Sequence, residues 1–179
     1  MFGAAVITAS DRSSRGERAD ASGPALAALL ERIPMRLVAL RVVPDTVREI
    51  RRALRSLVQD PGVKMILTTG GTGVTPRDVT PEATAPFIER ALPGVALAMR
   101  WGSYQTTPFA MISRAIAGFH GDCLLVNMPG SPRAVAECFG ILLPTFRQLF
   151  GDTAAHPRPT AGESRGRGVR NAPRRERWP

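Results

Sequence analysis

With one lysine, two histidines and two cysteines in 179 residues, the chain lacks the means for several common chemistries. A P-loop requires Gly-Lys-Ser/Thr, which Lys64, the only lysine, cannot supply. His120 and His156 form no zinc cluster and offer no convincing base for a Ser-His-Asp triad. Cys123 and Cys138 sit in apolar stretches and read as small core residues, not as a disulfide or redox pair. No run approaches the roughly 18 apolar residues of a membrane span. The start, Phe2 to Ala9, reads as a strand without a charged leader, so the expected compartment is the cytoplasm.

Arginine is plentiful but unevenly placed. From His156 onward there are seven arginines against two glutamates, so this end supplies +5 of the net +9 and leaves the rest only mildly basic. The segment is rich in Pro, Gly, Ser and Arg and nearly devoid of aliphatic residues, too little apolar surface to offset its ordering entropy. Residues 154–179 are therefore read as a disordered basic tail. Nucleic acid is not an expected partner except through that tail.

The remaining residues, 1–153, suffice for one domain with one core. Gly3 to Ala9 is a short apolar run ending at Ser10-Asp11, as a buried parallel strand would. Pro24 opens a helix carrying Leu26, Leu29, Leu30 and Ile33, stopped by Pro34, and a strand follows over Met35 to Val43. Val47, Ile50, Leu54 and Leu57 make one stripe of the next helix, with Arg48, Arg51, Arg52 and Arg55 opposite. Asp45 before it fits either its N-cap or a carboxylate facing a cleft. A third strand, Met65 to Thr69, leads into Gly70-Gly71-Thr72-Gly73, and Thr80-Pro81 fits the cap and first position of a helix. Ala91 to His120 is interrupted by Pro93-Gly94, Gly102 and Pro108 and yields no clear pattern; Trp101 and Tyr104 within it fit core packing, a subunit contact or a stacking surface. Cys123 to Asn127 is a strand, Ser131 and Pro132 fit the cap and first position of a last helix, Pro144 kinks or restarts it, and Gly151 ends it.

Strands alternating with helices through short links predict an α/β domain: a mainly parallel sheet in the middle of three layers, with helices on both faces. Ligands then bind outside the carboxyl ends of the strands. That rule gathers Ser10-Asp11, Pro44-Asp45, Gly70 to Asp78 and Pro129-Gly130-Ser131 into one cleft. Gly70, Gly71 and Gly73 bring backbone N–H groups close to phosphate, while Asp78 would repel phosphate unless a divalent cation intervenes. The loop does not match the spacing of the G-x-G-x-x-G dinucleotide fingerprint. Ser113-Arg114 adds an arginine that fits either a phosphate clamp or a surface ion pair.

Four ordered motifs, Ile7 to Arg12, Thr68 to Thr84, Ser113-Arg114-Ala115 and Asn127 to Pro132, resemble the molybdenum cofactor biosynthesis family that binds molybdopterin, in particular its molybdopterin adenylyltransferase branch. The resemblance runs from about Ala5 to Leu149 and implies the molybdopterin-binding fold. It also implies adenylyl transfer from Mg-ATP to the terminal phosphate of molybdopterin, a homotrimer, and a partner that inserts molybdenum. Asp78 and Asp45 would then be the catalytic residues, holding Mg²⁺ through ATP. Ser10, Asp11, Gly70, Gly71, Thr72, Gly73, Ser113, Arg114, Pro129, Gly130 and Ser131 would contact nucleotide or pterin. A non-catalytic carrier or scaffold of the same fold is the alternative.

Overall fold

A computed structural model describes residues 1–151; the tail read as disordered lies outside the described residues. The strands are β1 (Phe2–Ala9), β2 (Met35–Val43), β3 (Val63–Thr69), β4 (Arg90–Ala91), β5 (Ala117–His120) and β6 (Cys123–Met128). Between them lie helices α1 (Asp11–Ser14), α2 (Ser22–Leu29), α3 (Val47–Val58), α4 (Thr80–Thr84), α5 (Pro93–Tyr104) and α6 (Pro132–Phe150). One six-stranded sheet results, in the order β2-β1-β3-β6-β5-β4. Its β2, β1, β3 and β6 run parallel, while β5 and β4 are antiparallel to their neighbours. The domain is thus mixed α/β with a mainly parallel sheet, as the alternation of elements predicts.

Period-two alternation in strands apolar on both sides builds the layers. Ala4, Val6, Met65, Leu67, Leu124 and Val126 face α2, α5 and α6, where Leu26, Met99, Val135, Phe139 and Phe146 complete a core. Ala5, Ile7, Ile66 and Leu125 face the other way, onto Ile50, Leu54 and Leu57 of α3 and Ala83 of α4. The amphipathic pattern of α3 is realised, with Arg48, Arg52 and Arg55 in solvent.

Three local expectations need revision. The second helix begins at Ser22, ahead of Pro24, because Asp20 Oδ1 accepts the backbone N–H groups of Ser22 and Gly23 (3.1 Å each). Pro144 neither ends nor restarts α6, which is continuous to Phe150; buried Leu142, Leu143 and Phe146 hold the backbone on either side while Pro144 itself is exposed. The obscure stretch from Ala91 hides a hairpin, β5 to β6, in which His120 pairs with Cys123 across Gly121-Asp122. Gly121 has φ +52, and a glycine-aspartate pair between apolar runs is the signal that marks such a turn.

Phe139 is fully buried and lies edge-on to Phe146, with ring centroids 5.4 Å apart. Phe139→Ala is expected to cost about 3–5 kcal/mol in urea unfolding. A loss below about 1 kcal/mol would show that α6 does not seal this side of the sheet.

Candidate functional site

Register brings the carboxyl ends of the parallel strands level: Ala9 pairs with Val43, Thr8 with Thr69, and Thr69 with Met128. The loops after β1, β2, β3 and β6 therefore open on one edge. Gly70 (φ +94) and Gly71 (φ +63) turn the chain there in a backbone region costly for other residues. A side chain at Gly70 would overlap the Ala9 carbonyl oxygen, and one at Gly71 the Thr80 hydroxyl. Thr69 Oγ1 donates to the Pro129 carbonyl (2.6 Å), tying the glycine loop to the Pro129-Gly130-Ser131 turn.

Asp11 and Asp45 exchange backbone bonds. Asp11 N–H donates to Asp45 Oδ2 (2.9 Å), and Asp45 N–H to Asp11 Oδ1 (3.0 Å). Asp45 is consequently not the cap of α3; Thr46 is, accepting Glu49 N–H through its hydroxyl (3.3 Å). Threonine one residue nearer the helix has the extended backbone a cap requires, which leaves Asp45 to the cleft. Arg77 pairs with Asp11 Oδ2 at 3.1 Å. Burial pushes the Asp45 carboxyl up from its usual 3.8, and the charges of Asp11 and Asp78 add to the rise against a backbone bond from Asp11 and the Arg77 charge.

Asp78 closes its own turn. Its Oδ2 accepts from Thr75 N–H (2.9 Å) and Thr75 Oγ1 (2.6 Å), and Gly73 provides room, since a Cβ there would stand 2.9 Å from this oxygen. Burial acts to raise its carboxyl, but the Thr75 and Gly73 hydrogen bonds and the Arg114 charge prevail, and the net direction is down from 3.8. Thr80 is not the cap of α4 but its first residue. Its N–H donates to Gly71 O (3.0 Å), and its buried hydroxyl has no partner among the described residues. The loop's own backbone replaces a side-chain cap.

Ser10 and Ser131 cap α1 and α6 through Ser13 N–H and Ala134 N–H (3.2 Å each). Ser113 Oγ accepts Ala115 N–H at 3.4 Å. Arg114 turns inward: Nε donates to Gly73 O (2.6 Å), and the terminal nitrogens to Asp78 O and Glu82. Thr72 is buried and its carbonyl accepts Arg114 N–H (2.9 Å). Sequence reasoning does not single out Thr75, Arg77 or Glu82 as site residues; only the spacing of Thr75 to Asp78, which suits a side chain folding back onto its own turn, hints at one of them.

Around this edge lie a polar pocket of about 90 Å³ between Ser10, Ser13, Arg18, Gly70 and Gly130, and an open hollow of about 360 Å³ beside Thr75, Asp78 and Arg114. An apolar cavity of about 300 Å³ adjoins Thr72 and Gly73, walled by Met99, Phe109, Ile112 and Cys138. Trp101 and Tyr104 stack on each other, 64% and 44% exposed, which rules out core packing. The Cys123 thiol is buried and pushed up to about 12, and Cys138 is likewise raised by burial, so neither is a nucleophile at neutral pH. His120 sits at the β5–β6 turn, the far end of the sheet from these loops. Among the described residues no three His, Cys, Asp or Glu side chains group to cage a metal.

Residues 5–148 match the family described as "Probable molybdopterin binding domain". The gephyrin of Dictyostelium discoideum is 38% identical over 169 residues, which cover 89% of this chain and 23% of gephyrin, so the chain spans under a quarter of that relative. The molybdopterin adenylyltransferase of Haemophilus influenzae is 38% identical over 135 residues, covering 74% of this chain and 68% of its own length. Among solved structures, the molybdopterin biosynthesis enzyme MoaB of Thermus thermophilus superposes with a TM-score of 0.77 at 38% identity, covering 85% of this chain and 98% of that one.

The opposite shifts of the two carboxyls generate a paired prediction. A group raised in the folded state stabilises below its unfolded value and loses that stabilisation as pH rises through the folded one; a lowered group does the reverse. Asp45→Asn, which keeps an oxygen for Asp11 N–H, is expected to unfold at higher urea than wild type at pH 7, with the gap closing below pH 3.8. Asp78→Asn is expected to unfold at lower urea at pH 7, and its deficit should also vanish in acid. Urea midpoints from pH 3 to 7, in about one-unit steps, check both; shifts of the same sign would refute the assignment.

Proposed function

Since the chain belongs to the molybdopterin-binding-domain family of molybdenum cofactor biosynthesis, we propose that it is a molybdopterin adenylyltransferase. In this reaction a terminal phosphate oxygen of molybdopterin attacks the α-phosphorus of ATP. The new P–O bond forms as the bond to the β-phosphate oxygen breaks, and pyrophosphate leaves with its electron pair. The attacking oxygen is already anionic near neutral pH, so alignment and charge neutralisation matter more than a general base. Among the described residues no histidine lies at these loops and both thiols are raised by burial, which suits that demand.

The observation that supports the reading is the meeting of the loops after β1, β2 and β3: Asp11 and Asp45 exchange backbone bonds (2.9 and 3.0 Å), and Arg77, next to Asp78, pairs with Asp11 at 3.1 Å. Carboxylates on adjoining loops fit a magnesium ion that arrives on the nucleotide, because Mg²⁺ takes one or two carboxylates together with substrate phosphates and water. Asp45 and Asp78 would hold it, and it would neutralise charge on the two phosphates and on the leaving pyrophosphate. Asp11 orients Asp45 through the exchanged backbone bonds. Thr75 and Gly73 orient Asp78 and keep it ionised. The backbone N–H groups of Gly70 to Gly73 and the α6 N-terminus at Gly130-Ser131 favour anions at the same edge. Ser10, Asp11, Thr72, Ser113 and Pro129 complete the contacts that nucleotide and pterin divide between them.

A homotrimer belongs to the same proposal. It is supported by the exposed apolar residues Leu97, Trp101, Phe109, Met111 and Ile112 on α5 and the turn after it, which a second copy would cover. The product is suited to a partner that inserts molybdenum into the dithiolene. Among the described residues no helix is long and apolar enough to cross a membrane, and consumption of ATP fits the cytoplasm.

Purified protein mixed with molybdopterin, ATP and Mg²⁺ is expected to release pyrophosphate, and Asp78→Asn to lower that rate by about 10²-fold or more while leaving the fold intact. Binding of molybdopterin without pyrophosphate release by wild type would make the protein a carrier instead.

A further inference from the structure

Arg114 occupies the link between the turn at Pro108–Ile112 and β5, and its polar contacts all go to one place. Its backbone N–H reaches Thr72 O (2.9 Å) and its Nε reaches Gly73 O (2.6 Å). One terminal nitrogen donates to the backbone carbonyl of Asp78 and the other to the Glu82 carboxylate in the first turn of α4. The guanidinium thus spans both ends of the turn that carries Asp78 and pins it to the following helix. Behind it, Arg100 of α5 donates to the carbonyls of Ser113 (3.2 Å) and Ala115 (3.1 Å), fixing the link itself. From the opposite face of the sheet, Arg51 of α3 donates to the Glu82 carbonyl at 3.1 Å.

Nε and one N–H of each terminal nitrogen go to protein oxygens, so three of the five guanidinium donors already serve this turn and its helix. We propose that Arg114 is a positioning residue: it sets the Gly73–Asp78 turn that carries the Asp78 carboxylate, and Glu82 holds its fork in place. The role rests on the adenylyl-transfer reading for its consequence in turnover, though not for its effect on the loop. It requires a planar fork with donors in fixed directions. Lysine, a single point charge on a flexible stem, preserves the charge near Asp78 but cannot bind Gly73, Asp78 and Glu82 together.

Three measurements on Arg114→Lys and on Glu82→Gln separate positioning from phosphate binding. In ligand-free protein, the amides of Thr75 and Asp78, which bond within the turn, should exchange on the order of 10-fold faster in Arg114→Lys, with amides of β3 and β6 unchanged. In pyrophosphate release, kcat should fall about 30-fold while the KM for ATP stays within about 3-fold. The Kd for ATP by calorimetry should change as little as KM. Glu82→Gln, an exposed site that leaves Arg114 in place, should show the same pattern more weakly. A phosphate clamp gives the reverse: ATP affinity falls about 10-fold or more and turn exchange is unaltered, and that outcome overturns the proposal. Faster exchange in a protein whose wild type releases no pyrophosphate would support the positioning of the turn and sink the adenylyl-transfer reading alone.

Discussion

Parallel pairing of β1, β3 and β6 is the constraint from which the rest follows. Parallel neighbours cannot be joined by tight hairpins, so each connection crosses a face of the sheet, and both faces become covered. The strands must then be apolar on both sides, which is what Ala4 to Ile7 and Met65 to Leu67 are. The same pairing sends every carboxyl end to one edge, where loops free of packing duty can carry polar groups. The antiparallel β5 starts at that edge, so the link before it adds Ser113 and Arg114 to the loops there.

At that edge three aspartates lie among arginines that pair with them or with their turns. Asp11, Asp45 and Asp78 come from loops after different strands; burial first of all raises Asp45, while Asp78 stays low. The difference comes from donors: Thr75 and Gly73 serve Asp78, whereas burial governs Asp45. In the proposed reaction between two polyanions, a cation would ease the raised Asp45 while Asp78 stays ionised.

Beneath the loops lies a polar scaffold of side chains that have no need to touch a substrate. Buried Asn127 donates to the Thr68 and Thr84 hydroxyls (2.9 Å each) and accepts Ile116 N–H (3.3 Å), linking β3, α4 and the start of β5. Its hydrogen-bonding groups are matched, as a buried amide requires. With Arg51, Arg100 and Arg114 above it, the glycine loop is held from both faces of the sheet.

Much of this was legible in the chain itself. Apolar runs, proline and glycine punctuation and the helical stripe of Val47 to Leu57 specify the α/β order, because burial on both faces demands a composition that loops cannot mimic. The glycine loop and the two aspartates are local patterns, visible without coordinates. Tertiary structure alone decided what the polar residues do. Thr46 displaced Asp45 from its cap, Val79 displaced Thr80, whose N–H went to Gly71 O, and the Arg114 fork closed on protein oxygens. Hydrogen bonds are short and directional, so a side chain's partner depends on which distant loop the fold brings within about 3 Å. Hydrophobic burial is non-directional and can be read from pattern, whereas polar assignment waits for the packed chain.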